Sequence, residues 1–151
     1  MPIFQAKILS KSQLADLANV IAEAESTTSG EIRVVVRHWR HWNERKFSLH
    51  ELALREFAAL GMDQTHDRTG VLILILVSER SFHIIADEGI HKKVADGTWD
   101  RIAGEMSAHF RDGRFFDGVA HAIRLVGAEL SAHFPQTSGG RNELPNDVIE
   151  R

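Results

Sequence analysis

The chain has 151 residues, 43% hydrophobic and 26% charged, with a formal net charge of −3 and no cysteine. These values fit one globular core and exclude disulfides, thiolate metal centres and cysteine nucleophiles. The charge is too small and too mixed to argue for nucleic acid or an anionic membrane. The opening MPIFQAKILSKSQ lacks the apolar core of a signal peptide, and no run reaches the ~20 apolar residues of a membrane span, so a cytoplasmic location is expected.

In chain order, Ser10 and Gln13 form a capping-box pattern ahead of Leu14, Leu17, Ala18 and Ile21, which share one helical face. Thr28, Ser29 and Gly30 stop that helix, and Glu31 to Arg37 (EIRVVVR) reads as a β-branched strand. His38 to Arg45 is a charged aromatic loop. Ser48 with Glu51 repeats the capping box, and Leu52, Leu54, Phe57, Ala58 and Leu60 carry a second helix to Gly61. Val71 to Val77 is an unbroken run of Val, Leu and Ile, the mark of a strand covered on both faces. Ser78, Glu79 and Arg80 turn the chain into a hairpin strand, Ser81 to Ala86. Thr98 is placed to cap a third helix with the stripe Trp99, Ile102, Ala103, Met106 and Phe110, ended by Asp112 and Gly113. A fourth helix presents Phe116, Val119, Ile123, Val126 and Leu130 and closes before Pro135. Residues 1–135 are thus expected as a single domain and 136–151 as a disordered polar tail.

The order α, β, α, β, β, α, α contains one strand–helix–strand crossover, which should be right-handed and make its two strands parallel. Adding the antiparallel hairpin gives a small mixed sheet with helices on both faces, a three-layer α/β/α sandwich.

That topology gathers charges which lie far apart along the chain. Glu31 and Asp67 are expected to begin the two parallel strands at one edge of the sheet, Asp87 and Glu88 to finish the hairpin there, and Asp96 can loop over it. Ser29 and Thr69 add hydroxyls. Acidic oxygens around one opening suit a hard cation, Ca²⁺ or Mg²⁺. The bland alternative is that these carboxylates are solvated or cap the next helix, and no EF-hand spacing is present.

The opposite end carries Arg37, His38, Trp39, Arg40, His41 and Trp42, facing Ser78, Glu79 and Arg80. His38 and His41 lack an identifiable third metal ligand. Tryptophans packed back on the sheet are the simplest expectation for this loop, and exposed Trp39 and Trp42 would instead make a partner surface. His83 reads as a packing residue, and His109, His121 and His133 follow helical periodicity. Gly118 and Gly127, inside the fourth helix, point to close approach of a neighbour. Neither a nucleophile elbow nor a Gly-rich phosphate loop occurs.

SGEIRVVV (29–36), the LGM-x-x-T run (60–65), RTGVLILI (68–75), ADEGIHKKV (86–94), TWDRI (98–102) and HFRDGRFFDGV (109–119), taken in this order and spacing, resemble the TPM domain family. That family takes its name from a thylakoid lumen protein, a photosystem II accessory factor and a nematode receptor modulator. The resemblance covers roughly Ser10 to Pro135 and is nearest to short, soluble bacterial members. Thr69 and Ala86 stand where relatives often carry Asn and Gly. The resemblance implies an α/β/α sandwich, calcium binding at an acidic edge in some members, and acid phosphatase activity in others. Carried to this chain, the metal ligands would fall on Glu31, Asp67, Asp87, Glu88 and Asp96.

Two functions follow as expectations. One is a Ca²⁺- or Mg²⁺-binding auxiliary or assembly module, with a protein partner in a membrane-associated complex and Trp39 and Trp42 as the contact. The other is a metal-dependent phosphatase in which Arg33 or Arg68 orients a phosphate through its planar fork. No residue presents itself as nucleophile or general acid, so the catalytic residues stay unassigned.

Overall fold

The computed structural model describes residues 9–136 and 144–151. Helix α1 (Lys11–Glu25) opens with both halves of its capping box: Gln13 N–H donates to Ser10 Oγ at 3.1 Å, and Ser10 N–H donates to Gln13 Oε1 at 2.9 Å. Ser48 and Glu51 do the same for α2 (Leu49–Ala59). These reciprocal bonds satisfy donors that every helix start leaves over, which fixes where each helix begins.

Strands β1 (Glu31–Arg37) and β2 (Gly70–Leu76) pair in parallel from Glu31↔Gly70 to Arg37↔Leu76. β3 (Ser81–Ala86) returns antiparallel to β2, from Leu76↔Ser81 to Val71↔Ala86. With a short strand β4 (Ile149–Glu150), the sheet order is β3-β2-β1-β4. Every residue of β2 is buried, and its side chains divide between two cores. Val71, Ile73 and Ile75 join Ile32, Val34 and Val36 of β1 beneath α1, α4 (Thr98–Arg111) and α5 (Phe115–His133). Leu72, Leu74 and Leu76 join Val35, Leu52 and Phe57 beneath α2. The three-layer α/β/α sandwich is therefore the fold, and the apolar run is its doubly covered middle.

Details depart from the sequence reading where local sequence is silent on tertiary contacts. Asp87 starts an additional short helix, α3 (Glu88–His91). The residue before α4 is Gly97 in the left-handed conformation, φ 85°, and Thr98 lies inside the helix with its hydroxyl donating to the Ala95 carbonyl. Leu54 is 44% exposed, because α2 turns Leu52, Ala53, Glu56 and Phe57 inward instead. Part of the tail expected to be disordered belongs to the sheet: β4 (Ile149–Glu150) pairs in parallel with Val35 and Val36, and Val148 and Leu144 pack on the two cores. Gly118 and Gly127 do mark tight helix packing, since a Cβ there would stand 2.9 Å from His109 Cβ and 2.8 Å from Ala24 Cβ.

Candidate functional site

The end of the sheet where β1 and β2 begin and β3 finishes brings together the loop 65–69 and the β3–α3 junction at 86–89. Asp87 is buried and holds them. Its carboxylate accepts Arg68 Nε at 2.8 Å and Arg68 Nη2 at 3.0 Å, and Oδ1 also accepts the Glu88 N–H at 2.8 Å. The bidentate fork is the strongest geometry available to such a pair. Arg68 adopts a left-handed backbone, φ 57°, to present its side chain this way. Its guanidinium is held above its ordinary value first by its hydrogen bonds to Asp87 and then by that carboxylate's charge, with the charges of Glu88 and Asp63 adding to this. Gly89 seals the junction: a Cβ at that position would lie 2.1 Å from the Asp67 carbonyl oxygen and 2.4 Å from that of Arg68. Only glycine permits that approach.

The carboxylates expected at this end separate on closer inspection. Asp87 and Glu88 flank Arg68, with Glu88 exposed and 4.0 Å from it. Asp67 is solvent-facing beside His66 at 3.1 Å. Asp96 is exposed in the connection between α3 and α4. Glu31 is at the right height in the sheet but buried, associated instead with Glu25 from α1. Among the described residues, no group of three or more His, Asp or Glu side chains stands close enough to enclose a metal ion.

Glu25 and Glu31 form a second polar feature. Together with Ser26, Thr28, Gln136 and Asn146 they line a cavity of about 160 Å³. Glu25 is only 8% exposed, and its Oε2 accepts the Ile32 N–H at 2.7 Å, on the edge of β1 that β4 leaves open. Burial pushes the Glu25 carboxyl up to about 8, and the adjacent Glu31 charge adds to that rise. Arg33, also buried, lies among the charges of Asp147, Glu25 and Glu31.

At the far end of β1 the charges are again paired. Arg37 binds Glu44 and, at 3.2 Å, Glu56, while Arg151 reaches Glu56 at 3.4 Å. Trp39 and Trp42 are 63% and 83% exposed, so they do not fold back on the sheet. His83 meets His50, with Nε2 and Nδ1 2.8 Å apart, and His109 and His121 gather around Glu105. Sequence reading missed Glu25, Glu56 and the His50–His83 pair. The signal for the two glutamates was present: each lies four residues after a buried apolar position, Ile21 and Leu52, on the same helical stripe.

A small α/β/α sandwich whose loops are clasped at one end of a mixed sheet defines the class of protein. The chain belongs to the TPM domain family, whose model matches residues 3–129. It is similar to the BA42 protein of the psychrophilic bacterium Bizionia argentinensis, at 30% identity and a TM-score of 0.86, over 96% of this chain and 97% of that one. The fold is shared with the N-terminal domain of a P. gingivalis protein (20% identity, TM-score 0.68, 87% and 83% covered). It is shared too with the N-terminal domain of the cg2496 protein of Corynebacterium glutamicum (13% identity, TM-score 0.61, 89% and 79% covered). No curated protein matches the chain. No helix among the described residues is long and apolar enough to cross a membrane.

Proposed function

We propose that the chain is a cation-binding TPM module with an auxiliary or assembly role, and that its ligand end is the Arg68–Asp87 clasp. The carrying observation is the preorganised Asp87 carboxylate, fixed by three donors and flanked by Glu88. With no three carboxylates converging, the cation that suits this donor set is one that keeps most of its own water and takes one or two carboxylates. Mg²⁺ behaves in that manner, and Ca²⁺ tolerates it. Asp87 and Glu88 would supply the carboxylates, with Asp67 of the adjoining loop to assist. Glu31 and Asp96 would lie outside the shell.

A phosphatase reading is supported by one observation: Arg68 remains about half exposed beside those carboxylates, and an exposed guanidinium suits a phosphate. Titrating the protein with Mg²⁺ and Ca²⁺ while following backbone amide resonances tests both readings. Saturable shifts confined to residues 66–69 and 86–90, abolished in Glu88→Gln, support the module. Turnover of a generic phosphate ester that is lost in Arg68→Lys would move the assignment to the enzyme. Absence of any response at this end to either cation defeats the cation site in both forms.

A further inference from the structure

The net charge conceals how charge is distributed at the opposite end of the sheet. Between β1 and α2, residues 38–47 read HWRHWNERKF. Exposed tryptophans on a floppy loop would mean little, but this loop is built. His41 N–H donates to Glu44 Oε1 at 2.8 Å, and Glu44 is gripped by buried Arg37. Arg40 pairs with Glu79 of the β2–β3 turn, while its Nη1 donates to the carbonyls of Glu44 and Phe47. The Phe47 ring lies under Arg55, 4.4 Å from its centroid, and under Lys46 at 5.4 Å. All this scaffolding leaves the two largest apolar side chains of the loop in water, Trp42 at 83% exposure.

The surrounding charge is one-sided once pairs are removed. Glu44 and Glu79 are engaged by Arg37 and Arg40, while Glu150 hydrogen-bonds His38, a contact that is an ion pair only when the imidazole is protonated. Arg45, Lys46 and Arg80 are exposed and make no ion pair among the described residues. Arg80 is held outward by a left-handed backbone, φ 50°, at the end of the neighbouring turn. Tryptophan flanked by Lys and Arg is the composition that settles at the headgroup level of a bilayer, the ring taking the interface and the cations meeting anionic lipid. A partner protein would be expected to offer a pocket and acidic groups matched one by one. Here unpaired cations stand in the same loop and the neighbouring turn as rings that project from the surface.

We propose that the 38–47 loop, with Arg80, docks this protein peripherally on an anionic lipid surface, Trp39 and Trp42 seating at the headgroup level. The contact is interfacial and involves no spanning segment. It is independent of the cation site, which lies at the other end of the sheet.

Sedimentation with phosphatidylcholine vesicles, with and without phosphatidylserine, tests this on the full chain. Binding should require phosphatidylserine and weaken with added salt. Removing two cations in Arg45→Ala/Lys46→Ala should cost roughly 25-fold, at about fivefold per charge. Trp39→Ala/Trp42→Ala should lose tenfold or more while changing the thermal midpoint little, because both rings are mostly exposed. Intrinsic fluorescence gives a second reading, since only Trp99 remains besides these two. Emission should shift to the blue on phosphatidylserine vesicles, and not in the double tryptophan variant. Equal binding to neutral and anionic vesicles, binding indifferent to the tryptophans, or no binding at all overturns the proposal, and the last outcome would point to a protein partner instead.

Discussion

Replacing Glu25 by Gln isolates the energetic role of the buried carboxyl pair. Gln is nearly the same shape, keeps an oxygen for the Ile32 N–H, and offers Glu31 a donor in place of a second acid. In the folded protein the Glu25 carboxyl is raised from 4.5 to about 8. The unfolded chain therefore releases this proton first as pH rises. Stability is fully present below pH 4.5 and declines as pH climbs towards 8. At about 1.4 kcal/mol per pH unit, the loss over that span has an upper limit of ~5 kcal/mol. Relaxation around the pair and sharing of one proton with Glu31 bring the expected figure nearer ~2–3 kcal/mol. Urea unfolding of wild type and Glu25→Gln at pH 5, 6, 7 and 8 measures it directly. The variant should show a flatter profile and be the more stable protein at pH 8. Parallel profiles for the two proteins would refute the claim that Glu25 is held protonated by burial.

Gly89→Ala should be among the most damaging single-methyl changes, because the contacts at 2.1 and 2.4 Å are with backbone carbonyls that cannot rotate aside. A cost of about 3 kcal/mol, or a fall of roughly 10 °C in Tm, is expected by calorimetry. Gly104→Ala is the control: nothing lies within 4 Å there, so the same added methyl in α4 should stabilise by up to ~1 kcal/mol. His83 is depressed below its usual 6.5, by burial first and then by His50. Its contribution is present above pH 6.5 and drains away as pH falls further, so His83→Gln should flatten the acid side of the stability profile, opposite in sense to Glu25→Gln.

The skeleton of the fold was legible because its determinants are local. Capping boxes at Ser10 and Ser48 and the unbroken run at 71–77, whose last residue falls in the turn after β2, each carry their own physical signature, and one crossover rule converts them into a sheet. Charges were harder. Topology correctly put Glu31, Asp67 and Asp87 at one end of the sheet, yet side-chain direction decides which carboxylates meet. Glu31 goes to Glu25, and Asp87 goes to Arg68. The alternation in EIRVVVR did record a polar face, Glu31, Arg33 and Arg37. Its burial depends on α2 and on residues 144–151, whose placement no short-range pattern announces. β4 escaped notice for the same reason: two residues hold no periodicity.

That two-residue strand has a bearing on solubility. β1 contains the strongly β-forming segment IRVVV, apolar but for Arg33, and its outer edge would otherwise offer free backbone groups to any other chain. Glu25 occupies that edge at Ile32, and Ile149 and Glu150 occupy it at Val35 and Val36, with Arg151 N–H closing on the Val36 carbonyl at 2.8 Å. The edge is thus guarded from both ends by elements more than a hundred residues apart. A protein shortened before Ile149 would keep its core but lose one guard, and self-association through β1 would become its characteristic failure.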